Sequence, residues 1–588
     1  VVEALTLLFN YVFSSGEWPE RWGSGIIFPL YKEGSRLKPG NYRPITLLSC
    51  VGKLFGSIVE TRLSNWSEAT GAIVDHQGGF RRGRGAPDQI FLLREILSSR
   101  KERGLATLVS YVDCRKAYDT VWREGNAVRL FDAGVQGRMW RQIQAMSAGL
   151  RSKVRLPQGE TEWFRVLRGV AQGAPESPWL YSNFINGLAE ELEALGLGVL
   201  VGGVRIPLLM YADDVVMLAS SIYELRQMNE VATQYAFKYR FRYNGKKSAV
   251  MAFNANKALR RRVEEESWVL SGEKVEVRSR YKYLGVDTLT NAADWNAHVE
   301  RVIAGARKKS RDLLWMCKQD QGLRPRSAAT MWKAMVRPIL EYAAELWAGE
   351  ISKKNCKAAE KIQTDFARAV LGLTGEWGVP NLLVRAELGM EKLRSRREKL
   401  RLGYWRRIQV ARKDRAFFKV AVMRRRQVIE GEDREGVGSW MWATRALMWR
   451  RGLGREWDEP ELCCHVSKDD WKERVYEGVE ECYEGRRREE MGGMKSMGRY
   501  GRTKNWERVD EDHAEFTGEV GRWGALVCER YLDDMKERGA ASLKLQCRAG
   551  CLPVMKRVMK KMKMPLEWGT CLMCNDGCVE TIDHLLMD

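Results

Sequence analysis

The chain has 588 residues, 45% of them hydrophobic, and only 13 cysteines, which excludes a small disulfide-stapled domain and an acidic disordered chain. Its 98 Lys and Arg residues against 76 Asp and Glu give a net charge of +22, which favours binding to polyanions such as nucleic acid. No apolar run is long enough to predict a membrane-spanning helix. The absence of an initiator Met indicates a fragment of a longer protein.

The pattern of predicted elements changes along the chain. Residues 1–104 alternate helical periodicity with Gly and Pro, whereas 105–290 hold short apolar runs separated by turns and helices, which is an α+β pattern. Beyond 290 the sequence is almost wholly helical up to about 450, and the charged, weakly periodic stretch after it predicts partial disorder. The predicted segments are 1–104, 105–290, 291–350, 351–540 and 541–588.

Two adjacent acids interrupt the apolar stretch 208–218. The runs on either side predict a buried β-hairpin that presents Asp213 and Asp214 at its tip. Two anions buried side by side are costly, and Mg²⁺ would compensate them because it prefers carboxylate oxygens and keeps positions open for phosphates. An ordinary surface turn with two solvated aspartates is the alternative.

A third acid follows another apolar run about 100 residues earlier. Residues 105–112 are typical of a buried strand, and the strand ends in Asp113. Asp119 is predicted to cap the helix that follows. If Asp113 converges with the hairpin tip, the carboxylates would hold a pair of metal ions suited to in-line phosphoryl displacement.

These acids lie in a series of blocks that resembles the reverse transcriptases. Tyr111-Val112-Asp113 through Tyr118-Asp119 is similar to their A motif, and Tyr211-Ala212-Asp213-Asp214 is similar to their C motif. Further blocks follow the family's order: NYRPI at 41–45, QGGFR at 77–81, GVAQGAPESP at 169–178, NGKKS at 244–248 and YLGV at 283–286. The first two of these are typical of non-LTR retrotransposon and group II intron enzymes.

The resemblance implies a right-hand polymerase, with fingers in 1–104, a palm with an antiparallel sheet in 105–290, a helical thumb in 291–350 and a mainly helical extension. It also implies that Asp113 and Asp213 bridge two Mg²⁺ ions, while Asp214 completes the acidic cluster. A primer 3′-OH would be the nucleophile and pyrophosphate the leaving group. The implied partners are an RNA template, a DNA primer or target and dNTPs, without a membrane, and the implied location in a eukaryote is the nucleus with a cytoplasmic ribonucleoprotein stage.

Three residues are implied to meet the sugar and base of the incoming nucleotide. Tyr118 matches the aromatic position that rejects a 2′-OH, with a core aromatic residue as the alternative. Gln172 and Gly173 would lie against nucleotide and template, where glycine permits close backbone approach. This loop departs from the family's common pattern because Ala171 stands where proline is usual.

Three cations are candidates for contacts with the triphosphate. Lys247 matches the lysine of the D motif, which protonates the departing pyrophosphate or contacts the triphosphate. Lys32 and Arg43 would reach the phosphates from the fingers, since Arg binds phosphate with two parallel hydrogen bonds and Lys acts as a point charge. For each of the three, a solvated surface cation is the alternative.

Basic helices continue past the predicted palm. The stripe from Trp295 to Ala306 predicts an amphipathic helix whose basic side could follow a duplex. Residues 301–450 hold 34 Lys and Arg against 16 Asp and Glu, which accounts for most of the positive charge. Patches at 404–407 and 424–426 suit an RNA-binding extension, and a solvated helix face is the alternative for either.

Cysteines concentrate towards the C-terminus, where nine of the 13 lie between Cys463 and Cys578. The odd total without a secretory signal predicts reduced thiols. The spacing of Cys571, Cys574, Cys578 and His584 is typical of zinc ligands, and it resembles the Cys/His segment downstream of the polymerase in many non-LTR elements. The family's last cysteine would fall beyond Asp588, so the segment is predicted to be truncated. Reduced structural thiols are the alternative.

The sequence therefore predicts an RNA-directed DNA polymerase of the non-LTR retrotransposon type. A decayed or domesticated copy that binds RNA without polymerising is one alternative, against which the intact acids argue. A group II intron-type maturase is the other, and the Cys/His segment argues against it.

Overall fold

The structure, a computed structural model, describes residues 1–290, 294–318, 322–373, 379–431 and 439–492. The chain divides into two units. The first contains Val1–Asp294 together with Ala411–Ser439, and the second contains Trp295–Val410 and the described residues from Trp440 onward.

Within the described ranges, the strands belong to the first unit. They are β1 (Ser24–Tyr31), β2 (Tyr42–Leu47), β3 (Thr107–Asp113), β4 (Arg151–Leu156), β5 (Gly159–Glu160), β6 (Phe164–Arg165), β7 (Val199–Val201), β8 (Val204–Ile206), β9 (Leu208–Tyr211), β10 (Asp214–Ala219), β11 (Ala249–Phe253), β12 (Val269–Leu270), β13 (Glu273–Lys274), β14 (Glu276–Val277), β15 (Arg280–Tyr283) and β16 (Val286–Leu289).

Helices occur in both units. They are α1 (Val2–Ser15), α2 (Cys50–Thr70), α3 (Ala86–Glu102), α4 (Ala117–Thr120), α5 (Arg123–Asp132), α6 (Gly137–Ala148), α7 (Ser177–Ala194), α8 (Ile222–Lys238), α9 (Lys257–Glu265), α10 (Asn296–Lys318), α11 (Pro325–Met335), α12 (Arg337–Glu341), α13 (Ala344–Trp347), α14 (Lys353–Val370), α15 (Asn381–Glu387), α16 (Leu393–Gln409), α17 (Ala416–Ile429), α18 (Trp440–Arg450), α19 (Gly454–Asp458), α20 (Glu461–His465) and α21 (Lys468–Gly492).

The central sheet of the first unit has the strand order β14–β11–β3–β10–β9. β3 lies in its middle and runs antiparallel to both β10 and β11. Residues 107–112 of β3 are all buried: Leu108 and Val112 share an apolar core with α7 and α8, and on the other face the ring of Tyr111 stacks on that of Tyr281. A strand enclosed in this way has successive apolar residues instead of an alternating pattern. The predicted strand ending in Asp113 and the predicted hairpin are both present.

A second sheet lies in the N-terminal part of the same unit. Its order is β2–β1–β4–β5, with β6 paired to β4. β1 and β2 form an antiparallel hairpin in which Leu30 lies opposite Arg43, and Lys32 follows the last residue of β1. A second apolar core packs beside this sheet, with Phe9 and Trp22 both against the ring of Phe55.

Helix α17 belongs to the first unit although it comes after residue 410 in sequence. Its Arg424 is fully buried and pairs with Glu95 at 2.9 Å and with Glu102, both on α3. The ring of Phe417 meets that of Phe91 at 5.5 Å. The prediction that 424–426 forms an RNA-binding patch is therefore wrong for Arg424, whose charge is neutralised inside the protein.

The second unit is a set of helices with a tryptophan-rich core. Six of its tryptophans are among its largest fully buried side chains: Trp295, Trp332, Trp347, Trp405, Trp457 and Trp471. The predicted stripe on α10 is present, since Val299, Val302, Ile303 and Ala306 are buried.

The patch predicted at 404–407 is also part of this core. Trp405 stacks on Trp457 with ring centroids 4.5 Å apart, so it is not open to a base. Arg406 donates a hydrogen bond to the carbonyl of Val466 at 2.8 Å. The prediction that this patch binds RNA is therefore wrong for Trp405, because its side chain is buried in the core and does not face solvent.

The division into fingers, palm, thumb and extension stays a prediction. The structure adds that 411–439, inside the predicted extension, groups with the first unit. The predicted Cys/His segment at 541–588 lies outside the described residues. In the part of the chain that is described, no helix is both long enough and apolar enough to cross a membrane.

We expect Arg424→Ala to lower the free energy of unfolding of the first unit by about 3–5 kcal/mol, because it leaves two poorly accessible carboxylates without their shared cation. Arg426→Ala is the matched control: Arg426 is exposed and pairs with Glu430 on its own helix, so its loss should cost less than about 1 kcal/mol. Urea unfolding followed by circular dichroism measures both, and equal effects would contradict the structural role of Arg424.

Candidate active site

The predicted acids meet where β9 turns into β10. Asp214 begins β10 and lies directly opposite Asp113, the last residue of β3, in the antiparallel register. Asp213 occupies the turn itself, after Ala212, whose φ of 57° is in the left-handed region. A residue with a Cβ reaches this region only at a cost in free energy, so surrounding contacts must hold the turn.

The contacts that hold the turn come from Gln77. Its side chain is completely buried, and its Oε1 accepts hydrogen bonds from the backbone N–H of Ala212 at 2.9 Å and of Gly79 at 2.8 Å. Backbone bonds join the same segment to β9: Met210 donates to His76 at 2.9 Å, and Gly78 donates to Met210 at 2.8 Å. A Cβ on Gly79 would overlap the backbone nitrogen of Ala212, which explains the glycine.

The loop 244–248 holds Asp113 from the other side. The N–H of Asn244 donates to the carbonyl of Asp113 at 2.9 Å, and the N–H of Asp113 donates to Ser248 Oγ at 3.1 Å. The side chain of Asn244 also bonds the Asp113 carboxylate, and Lys247 lies near enough to lower its pKa. The structure thus brings predicted Lys247 to the acids.

Burial is the main reason that these acids hold protons more strongly than free aspartates, and neighbouring negative charge adds to it for Asp113 and Asp214. Burial raises the pKa of Asp113, Asp213 and Asp214. The pKa of Asp214 reaches about 6, because Asp213 and Asp113 add their negative charges to the effect of burial. The side chains of Asp213 and Asp214 nevertheless keep access to solvent, so a ligand can reach them.

The two cations predicted in the fingers face this cluster. Lys32 lowers the pKa of all three acids, and Arg43 lowers that of Asp213. Both side chains are exposed, on the hairpin of β1 and β2. Exposed cations beside clustered carboxylates can exchange their solvent for the phosphates of a ligand.

The loop before α7 carries the remaining predicted residues. Gly173 has a φ of 134°, and a Cβ there would overlap the carbonyl of Thr46 on β2. Gln172 accepts a backbone hydrogen bond from Thr46 at 2.8 Å, and its Nε2 donates to Asp119 Oδ1 at 3.1 Å. Asp119 lies inside α4, and the N-cap of α5, the helix that follows it, is Trp122, so the prediction that Asp119 is an N-cap is wrong.

Tyr118 lies between this loop and the acids. Its ring stacks on Tyr181 at 5.3 Å with an angle of 7° between the planes, and Phe80 meets its edge. Burial raises the pKa of Tyr118, and the charge of Asp213 adds to this effect. Tyr118 is therefore partly packed and close to Asp213, and its role towards the sugar stays a prediction.

The chain matches the family described as reverse transcriptase (RNA-dependent DNA polymerase) over residues 31–288, which include every acid and cation above. Residues 31–288 are a reverse transcriptase domain. The sheet, the acids and this match confirm the predicted α+β right-hand polymerase fold.

Relatives named for mobile elements support the LINE type. The chain is 26% identical over 394 residues to the "Probable RNA-directed DNA polymerase from transposon X-element" of Drosophila melanogaster, an alignment that covers 65% of this chain and 41% of that protein. It is 24% identical over 419 residues to the "RNA-directed DNA polymerase from mobile element jockey" of the same species, covering 70% and 44%. The chain thus spans less than half the length of these relatives.

A similarity to solved structures is also present. Apo telomerase from Candida tropicalis aligns at a TM-score of 0.39 and 12% identity, over 81% of this chain and 73% of that one.

The donor set of the reverse transcriptase domain fits a divalent metal. Enzymes of this family use divalent metal ions in catalysis. Burial raises the pKa of all three carboxylates that converge here, and neighbouring carboxylates raise those of Asp113 and Asp214 further, so a bound cation would stabilise their charged forms. The C-terminal candidates for zinc, Cys571, Cys574, Cys578 and His584, lie outside the described residues.

Gln77 lies in the block 77–81, and the sequence predicts no role for it. In the sequence, Gln77 is a polar residue between His76 and two glycines. This local pattern does not show that its amide bonds a turn 135 residues away. The reverse transcriptase domain therefore has a positioning residue that only tertiary contacts identify.

We expect Gln77→Leu to lower the rate of nucleotide incorporation by roughly 10- to 100-fold, because two buried N–H groups lose their acceptor and the turn carrying Asp213 shifts. Gln142→Leu is the matched control. Gln142 is equally buried, and among the described residues neither of its amide atoms has a hydrogen-bond partner. Single-turnover primer extension measures both, and an unchanged rate in Gln77→Leu with a normal melting temperature would contradict the positioning role.

The folded pKa of about 6 for Asp214 lies above its ordinary value of 3.8, so between these pH values the folded protein binds more protons than the unfolded chain. Stability therefore falls as the pH rises through this window. In EDTA at pH 8 we expect Asp214→Asn to raise the melting temperature by roughly 1–2 °C, a small gain because the carboxylate keeps access to water. At pH 3.5 the difference should vanish. The exposed Glu33→Gln is the control, and a gain for Asp214→Asn that is equal at both pH values would contradict the explanation.

Proposed function

We propose that this protein is an RNA-directed DNA polymerase that extends a primer 3′-OH on an RNA template during retrotransposition. The observation that carries the proposal is the register that sets Asp214 opposite Asp113 and beside Asp213, within the segment that matches the reverse transcriptase family. Relatives named as RNA-directed DNA polymerases of mobile elements support it.

We assign the metal-binding role to the three carboxylates. Asp113 and Asp213 would hold two Mg²⁺ ions, with Asp214 completing the cluster, and the bound ions would supply charge stabilisation for the attacking and leaving oxygens. Carboxylate oxygens are the ligands that Mg²⁺ prefers. The chain's own part is to keep these oxygens together through Gln77 and the loop 244–248.

The cations around the acids take the triphosphate. Lys32 and Arg43 are exposed on the β1–β2 hairpin and would bind and orient the phosphates of the dNTP. Lys247, beside Asp113, would hold a proton at its Nζ for the departing pyrophosphate.

Three residues would select and seat the nucleotide. Tyr118, stacked on Tyr181 near Asp213, would sit under the sugar and reject a 2′-OH. Gln172 and Gly173 would contact nucleotide and template, and the close approach of Gly173 to Thr46 fixes the loop they share.

The partners of the whole protein are part of the proposal. They are an RNA template, a DNA primer or target and dNTPs, and the nucleus is the proposed site of synthesis after a cytoplasmic ribonucleoprotein stage. We also propose that the Cys/His segment at 541–588 binds zinc.

We expect wild-type protein to incorporate dNTPs on an RNA template, and Asp213→Asn plus Asp214→Asn to reduce incorporation by at least about 1,000-fold, since the substitution removes the charges that hold the metals. Asp312→Asn, on α10, changes an acid outside the site and should leave the rate unchanged. Primer extension with an RNA template and a DNA primer makes the measurement.

Equal incorporation by wild type and the double variant would contradict the proposed role of Asp213 and Asp214 in polymerisation. RNA binding without any incorporation by the wild type would favour an inactive or domesticated copy. Promotion of splicing of a bound intron would favour a maturase.

A further inference from the structure

A cationic groove crosses the second unit. It is bordered by α14, α15, α16 and the side chain of Tyr483 on α21, and its volume is about 680 Å³. Seven Lys and Arg side chains line it, against two acids, Glu360 and Asp365. Neither patch in which the sequence predicted RNA binding contributes a residue to it.

Arg397 lies at the buried side of this groove. It is 2% exposed, and its guanidinium lies 5.5 Å from the ring centre of Trp347. Among the described residues, its Nη2 has no hydrogen-bond partner. Arg397 therefore places a buried positive charge beside the groove, and an anion bound in the groove would offset part of the cost of burying it.

The rim of the groove offers accessible positive charge. Lys357 and Lys361 are exposed and lie one turn apart on α14. Lys361 pairs with exposed Asp365 at 3.0 Å, a surface contact that contributes little and can be exchanged. Glu360, the other acid, accepts a hydrogen bond from the N–H of Arg394 at 3.0 Å through Oε1, while among the described residues its buried Oε2 has no hydrogen-bond partner.

The cations are spread out and not gathered around one point. Lys357 and Arg368 are 11 positions apart on α14, which is roughly 16 Å at about 1.5 Å per residue. Arg368 is held in place by Asn381 Oδ1 at 3.0 Å and by the carbonyl of Val379. A row of this length exceeds a single phosphate and matches several successive ones.

The groove lacks a platform for bases. Tyr483, the aromatic residue among its described lining, is 6% exposed, and its hydroxyl donates to Glu398 at 3.0 Å. Cations without an open ring recognise the backbone of a nucleic acid and not its sequence.

We propose that this groove binds the phosphodiester backbone of a nucleic-acid strand, with Arg397 at its base and Lys357 and Lys361 at its rim. The site is distinct from the three carboxylates, because every residue that lines it belongs to the second unit. The inference rests on the proposed function, because that function identifies where the bound strand comes from. Binding of the strand to the groove does not require polymerase activity.

The test uses the full chain with Lys357→Glu plus Lys361→Glu. The matched control is Lys468→Glu plus Lys472→Glu, which reverses two exposed lysines on α21 outside the groove and gives the same net charge. Fluorescence anisotropy measures the affinity for a labelled 25-nucleotide RNA and for DNA of the same sequence across a salt series, with an acidic peptide as a third probe.

We expect the groove variant to bind RNA about tenfold more weakly than wild type, with the slope of log affinity against log salt smaller by about 1.4 for two lost contacts. An equal loss for DNA supports recognition of the backbone, and a loss confined to RNA supports a site that also reads the 2′-OH. The control should stay within about twofold of wild type.

Equal weakening in both variants would overturn the proposal, since it would reflect net charge alone. Retained RNA binding with lost peptide binding would overturn it in favour of an acidic protein partner. If the wild type incorporates no dNTP while RNA binding still depends on Lys357 and Lys361, the polymerase proposal fails and the groove remains.

Discussion

The arrangement of the first unit depends on holding three negative charges together. Asp113 and Asp214 lie opposite one another on neighbouring strands, and Asp213 is next in sequence. Their charges repel, as the raised pKa of Asp214 shows, so the fold must supply the free energy that keeps them in place. The same repulsion favours binding of a cation, because a bound metal would offset the negative charges that the backbone holds close together.

Two sets of hydrogen bonds supply this restraint. Gln77 holds Ala212 in a left-handed conformation, and the loop 244–248 fixes both backbone groups of Asp113. Each restraint comes from a segment distant in sequence. The positions of Asp113 and Asp213 therefore depend on contacts beyond their own strands. The segment with Gln77 is in turn tied to residues after 410, since Asp75 accepts from the N–H of Ala416 at 2.8 Å and pairs with Arg84.

The basic residues behind the net charge of +22 fall into two groups. Some cations are structural: Arg424 forms ion pairs with Glu95 and Glu102 within the first unit. Others stay accessible, such as Lys32 and Arg43 beside the acids and Lys357 and Lys361 at the groove. Composition counts both groups equally, and only burial and pairing separate them.

Local sequence patterns predicted the acids of the site. Apolar runs ending in Asp113 and flanking Asp213 and Asp214 are local patterns, because a buried strand and a tight turn each depend on neighbouring residues. The blocks in family order also predicted Arg43, Lys247 and the glycine loop near the acids, and Lys32 was predicted there as a cation of the fingers, although their roles in catalysis stay predictions. Tertiary structure decided the rest. It showed that Gln77 holds the turn, that Asp119 bonds Gln172 instead of capping a helix, and that Trp405 and Arg424 are core residues. These facts depend on contacts between segments far apart in the chain, and whether a basic or aromatic side chain faces solvent or protein is settled only when those segments pack.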